Sequence, residues 1–99
     1  METEVRFAPA VATDVQAGYR WYEDQRPGLG SQFLDSVLAC LERIRRSPEL
    51  SERFQGQYRR RLLRRFPYAV FYEHDGHTLT IYGVVHTARD PAKWRGRLP

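Results

Sequence analysis

The sequence predicts an α+β domain in the order β-α-α-β-β-β, with a helical hairpin on one face of a mostly antiparallel sheet. Three observations carry this expectation. Apolar residues recur at helical spacing through the first half of the chain and alternate at strand spacing through the second. The two helical patterns are joined by Arg26-Pro27-Gly28-Leu29-Gly30, a link so short that the helices must return on each other. An Asp75-Gly76 pair, the strongest short hairpin signal, divides the last two strand patterns. With 99 residues, the chain is expected to form one domain over 1–99 with one modest core.

The first strand is expected at 4–8, with Val5 and Phe7 toward the core and Arg6 opposite. Pro9 suits the first turn of a helix. Val11, Val15, Tyr19 and Tyr22 then form an apolar stripe, which predicts a helix over 9–25. Gly18 lowers helix propensity within it and marks a place for close packing. Phe33, Leu34, Val37, Leu38, Leu41 and Ile44 define a second helix. Arg43, Arg45 and Arg46 crowd its last turn, where cations offset the helix dipole, and Pro48 stops it. Cys40, the only cysteine, excludes an intrachain disulfide and reads as a small buried hydrophobe on this helix.

Residues 49–56 are polar and aperiodic and are expected to be a loop. Strands follow at 57–64, 66–73 and 78–86, with a turn at 74–77. In the last strand, Leu79, Ile81 and Val85 alternate with Thr80, Tyr82, Val84 and His86. The first set is expected on the helix-covered face and the second on an open or ligand-bearing face. Residues 87–99 form a basic tail that Trp94 is expected to anchor. The expected core is Val15, Tyr19, Phe33, Val37, Leu41, Ile44 and Ile81.

Charge is unevenly placed. Residues 1–42 hold three basic and seven acidic side chains; residues 43–99 hold thirteen and five. Five arginines, Arg59, Arg60, Arg61, Arg64 and Arg65, lie between Tyr58 and Tyr72, interleaved with apolar and aromatic residues. That many guanidinium groups cannot be buried unpaired. One reading is a solvated edge strand that resists pairing. The other is a surface for an anionic partner, favoured because Arg grips phosphate and carboxylate in a bidentate fork. Lys93 is the only lysine, and a GC-rich codon bias also produces that pattern.

His74 and His77 flank the turn and read as exposed turn residues. His86 ends a strand beside Arg89 and Asp90, where it suits either general acid–base chemistry or a structural bond to Asp90. The sequence holds no P-loop, dinucleotide fingerprint, zinc motif or nucleophile elbow, so no cofactor or metal is expected. No run approaches a membrane span and no signal-peptide pattern opens the chain, so a cytoplasmic protein without a membrane partner is expected.

Several short motifs occur in one order: Trp21-Tyr22-Glu23, Pro27-Gly28-Leu29-Gly30 with Phe33, then Pro48. Tyr58-Arg59, Arg65-Phe66-Pro67-Tyr68 and Tyr72 come next, then Val84 through Pro91 with Trp94 and Arg97. Together they resemble the RelE/ParE superfamily of toxins from bacterial type II toxin–antitoxin modules, often called plasmid-stabilisation proteins. The resemblance covers about Val5 to Arg97 and implies a sheet with a helical hairpin. It implies a growth-inhibiting toxin neutralised by a cognate antitoxin, in a possible toxin–antitoxin hetero-oligomer. ParE-like members inhibit DNA gyrase; RelE-like members cut mRNA on the ribosome. RelE-like cleavage needs a base, an acid and a cation for the phosphorane. The candidates here are His86, Arg89, Arg61 and Tyr72. Two departures weigh against cleavage: Ala69 stands where an Arg is common, and the C-terminal Tyr is missing. The resemblance therefore points first to gyrase inhibition, then to ribosome-dependent mRNA cleavage, with a non-toxic, Arg-rich RNA- or antitoxin-binding module third. The binding residues expected for antitoxin or target are Arg59, Arg60, Arg61, Arg64, Arg65, Arg89, Trp94, Arg95 and Arg97.

Overall fold

The computed structural model describes residues 4–88. They form β1 (Glu4–Phe7), α1 (Pro9–Gln25), α2 (Leu29–Arg46), β2 (Arg53–Gln55), β3 (Tyr58–Leu62), β4 (Tyr68–His74) and β5 (Thr78–His86). The sheet order is β1-β5-β4-β3-β2, with β1 parallel to β5 and the other neighbours antiparallel. The expected α+β architecture is present, with two helices packed on a mixed sheet. The stretch expected as a plain loop at 49–56 contains a short edge strand, β2. Its pairing with β3 is irregular, which explains why no alternation marked it.

The helical hairpin is locked by one carboxylate. Glu23 near the end of α1 accepts backbone N–H bonds from Gly28 (3.1 Å to each oxygen) and Gly30 (3.0 Å). It thereby supplies the anionic cap that α2 lacks in its own sequence, since Gly28 offers no side chain. Gly28 itself sits at φ 90°, a conformation open to glycine at little cost. Where the helices cross, Gly18 lies against Phe33: a Cβ there would stand 2.6 Å from the ring. The close packing anticipated at Gly18 is therefore real.

The core comprises Val11 and Tyr22 from α1, Phe33, Val37, Cys40 and Ile44 from α2, and Tyr68, Val70, Tyr72, Leu79, Ile81 and Val84 from the sheet, closed by Leu63 and Phe66. Four of the seven expected core residues, Phe33, Val37, Ile44 and Ile81, are buried. Val15 and Leu41 pack on the core only in part. Tyr19 is half-buried and outside it, because α1 turns Val11 and Tyr22 inward instead. Tyr22, Phe33, Phe66 and Tyr68 form an aromatic cluster, with the Tyr22 and Phe66 ring centres 4.8 Å apart, edge to face. Cys40 is fully buried, and burial pushes its thiol pKa up.

One expectation about β5 is reversed. Phe71 pairs with Gly83 but Tyr72 pairs with Ile81, so Tyr82 is an extra residue in a β-bulge. The bulge flips the side-chain parity beyond it. Val84, expected on the far face, joins Leu79 and Ile81 in the core, and Val85 moves to the other side. His86 moves with Val84 to the helix side, against Tyr68, at a ring-centre distance of 5.1 Å. The bulge falls just past the last residue of β5 paired with β1. Beyond that point, Asp14 of α1 accepts the Val84 N–H at 3.0 Å. The far face is also less bare than expected: Ala69 and Phe71 are 0% and 3% exposed, so β4 is buried on both sides.

Candidate functional site: the arginine strand and its turn

On β3, alternation sends Arg59 and Arg61 to one face and Arg60 to the other. Arg59 lies opposite Tyr72 in the β3–β4 ladder, on the helix side. Its Nη1 donates to the carbonyls of Glu49 (3.1 Å) and Ser51 (2.8 Å). Arg61 donates from Nε to Ser51 Oγ (2.6 Å) and from Nη2 to the Ser47 carbonyl (2.8 Å). Tyr72 donates its hydroxyl to the Pro48 carbonyl at 2.6 Å. Three side chains of the sheet thus hold residues 47–51, the exit from α2, by their backbone carbonyls. Sequence reading missed this use of the arginines, since backbone acceptors leave no mark in a sequence. Arg60, on the other face, pairs with Glu52 on the β2 side at 2.8 Å.

Arg64 and Arg65 sit in the β3–β4 turn and are exposed. Arg65 is at φ 74°, a left-handed conformation that costs a residue with a side chain roughly 1–2 kcal/mol. Its Nη2 reaches Gln32 Oε1 at 3.2 Å, and the Arg64 carbonyl accepts a bond from the Ser36 hydroxyl at 2.7 Å. The turn is therefore fastened to α2. Between them lies a cleft of about 240 Å³, lined by Gln32, Asp35, Ser36, Ala39 and Arg43 of α2 and by Arg64, Arg65 and Phe66. Gln32, Ser36 and Arg43 are spaced four and seven apart along α2, so one helix face presents all three. That spacing puts Arg43 on the same helix face in the sequence, but nothing in the sequence places that face beside the arginine stretch.

Among the described residues, the acid–base candidates Tyr72 and His86 do not converge. Tyr68, the ladder partner of His86, lies four residues before Tyr72 on β4, about 13 Å along the strand. Burial raises the Tyr72 pKa, and its hydroxyl is engaged with Pro48. His86 Nδ1 accepts the Ala88 N–H at 3.1 Å. Tyr82, on the far face beside Tyr58, donates to Glu73 at 2.9 Å. Burial and that carboxylate push its pKa up to about 12. Arg89, Trp94, Arg95 and Arg97 lie outside the described residues. Among the described residues no group of His, Cys, Asp or Glu could hold a metal ion, and no helix is long and apolar enough to cross a membrane.

The family model for the ParE toxin of the type II toxin–antitoxin system, parDE, matches residues 5–91. The chain belongs to the ParE toxin family. Its fold is similar to that of a chain from the chromosomal ParDE toxin–antitoxin system of P. aeruginosa, with a TM-score of 0.74 at 14% identity. The alignment covers 85% of this chain and 95% of that one. At that identity the likeness concerns the fold alone. No curated protein matches the sequence. The family match spans every element from Val5 of β1 through β5, so this ParE-family chain owes the resemblance to the whole domain and not to the arginine stretch alone.

Proposed function

We propose that the protein is the toxin of a type II toxin–antitoxin pair, that it inhibits growth by binding DNA gyrase, and that a cognate antitoxin neutralises it. Family membership supports the toxin role. The observation that carries the binding mode is the separation of the acid–base candidates. RNA cleavage through the 2′-hydroxyl needs a base and an acid at one phosphate. Tyr72 and Arg61 are engaged by the carbonyls of residues 47–51, and His86 stands at the far end of β4 from Tyr72. A binding toxin has no need for those groups to meet.

Supercoiling by purified gyrase should fall in the presence of the protein and recover when antitoxin is added. Primer extension on mRNA from a purified translation system should show no new stops. Strong cuts that disappear in His86→Ala would overturn this reading in favour of ribosome-dependent cleavage. Silence in both assays would leave an antitoxin-binding module without either activity.

A further inference from the structure

Arg43 comes from α2 and Arg64 and Arg65 from the β3–β4 turn, yet all three line one cleft of about 240 Å³. None of the three is in an ion pair among the described residues. Arg59 and Arg61 donate to carbonyls and to the Ser51 hydroxyl, and Arg6, Arg45, Arg46 and Arg60 pair with glutamates. The cleft therefore concentrates three cations that no carboxylate among the described residues pairs with. The wall holding them is built, since Ser36 and Gln32 both fasten the turn to α2 and Arg65 adopts a left-handed backbone there. Ala39 and Phe66 supply an apolar lining that weakens solvent screening of charges at the mouth.

We propose that this cleft is a phosphate-binding site. Its charge is three guanidinium groups against one carboxylate, Asp35. A carboxylate ligand would bring one charge and two acceptor oxygens, leaving a cation unmatched. A phosphate group brings up to two charges and a third oxygen, which suits several planar guanidinium forks. Arg43 and Arg64 are the primary ligands, and Arg65, already bonded to Gln32, closes the side. The phosphate is either a free anion or the terminal monoester of a larger molecule; both bring the second charge and third oxygen that a backbone phosphodiester lacks. The inference stands apart from the gyrase reading, because it concerns what the cleft holds and not which cellular target is inhibited.

The test is NMR of the arginine side chains of the full-length protein at constant ionic strength, titrated with inorganic phosphate. Saturable shifts are expected at Arg43, Arg64 and Arg65. Arg64→Gln, at an exposed position, should weaken binding about tenfold through loss of a charge-assisted contact. Asp35→Asn should tighten it, a gain that misfolding cannot imitate. Arg20→Gln on α1 should leave it unchanged. DNA and RNA oligonucleotides with a 5′-phosphate, and the same strands without it, form the second arm. Competition that requires the 5′-phosphate assigns the site to a terminal phosphomonoester, and response to inorganic phosphate alone assigns it to a small anion; both support the site, whereas equal competition by strands without the 5′-phosphate would overturn it. Absence of saturation with every phosphate probe would overturn the proposal. So would a stronger response of the same resonances to free glutamate or an acidic peptide, which would make the cleft a docking point for a protein.

Discussion

Tyr72 shows how a residue of catalytic type becomes structural through its surroundings. Its ring is buried in the core and its hydroxyl donates to the Pro48 carbonyl. Tyr72→Phe should therefore cost about 0.5–1.5 kcal/mol, the net worth of one such bond, with more if the carbonyl finds no water. Urea unfolding should show a lower midpoint with an unchanged slope, and the proposed inhibition of gyrase should be unaffected by this substitution. Tyr82 makes a different kind of expectation. Its pKa is about 12 in the folded chain against about 10 for an unperturbed tyrosine. The folded state therefore holds its proton where the unfolded state releases it. Stability from this group is fully present below pH 10 and is lost as the pH rises from about 10 toward 12. Phenolate absorbance during alkaline titration should show late-ionising components, and Tyr82→Phe should remove one of them.

At the scale of elements, the hairpin and the bulge carry the constraints. Replacing a helical glycine by alanine ordinarily gains roughly 0.8–1.0 kcal/mol of helix propensity. Gly30→Ala should instead destabilise, because its Cβ would stand 2.8 Å from the Tyr19 carbonyl oxygen, a backbone atom. Relief requires the helices to part, and overpacking of this kind costs about 1–3 kcal/mol. A stabilised Gly30→Ala protein in thermal unfolding would mean that the helices are less closely packed. Just past the bulge, Asp14 accepts the Val84 N–H. Asp14→Ala should leave that donor without its acceptor at a cost of about 1–3 kcal/mol, and amide exchange at Val84 should rise more than at Ile81.

For the whole molecule, stability rests on one small core shared by the hairpin and the sheet. Ile44 is fully buried and Leu41 only partly so. Ile44→Ala should cost about 2–5 kcal/mol, and Leu41→Ala clearly less, since part of its side chain already meets water. Domains of this size have roughly 5–15 kcal/mol in total, so Ile44→Ala removes a large share. Equal costs for the two would mean that α2 is rotated relative to the sheet. The excess positive charge of the C-terminal half has its effect at this scale too. Association with an acidic partner should slow and weaken as salt is raised.

Helix and strand patterns are legible in the sequence wherever periodicity is set by burial on one face. The bounds of α1 and β5, the Asp-Gly turn, the burial of Cys40 and the packing role of Gly18 all follow from local residue chemistry. The motif order also sufficed to point to the toxin family. What the sequence could not reveal depends on partners far along the chain. Tyr82 bulges out of the β4–β5 ladder just past the end of the β1 pairing, and that shift moved Val84 and His86 across the sheet. Arg59 and Arg61 look like cations awaiting an anion, but carbonyls eight to fourteen residues away satisfy them. Arg43 belongs with Arg64 and Arg65 only once α2 lies against the β3–β4 turn. Local sequence determines where side chains are apolar and how the backbone turns. Which polar groups remain uncompensated is decided by the tertiary structure, because a hydrogen bond depends on distance in space and not on separation along the chain.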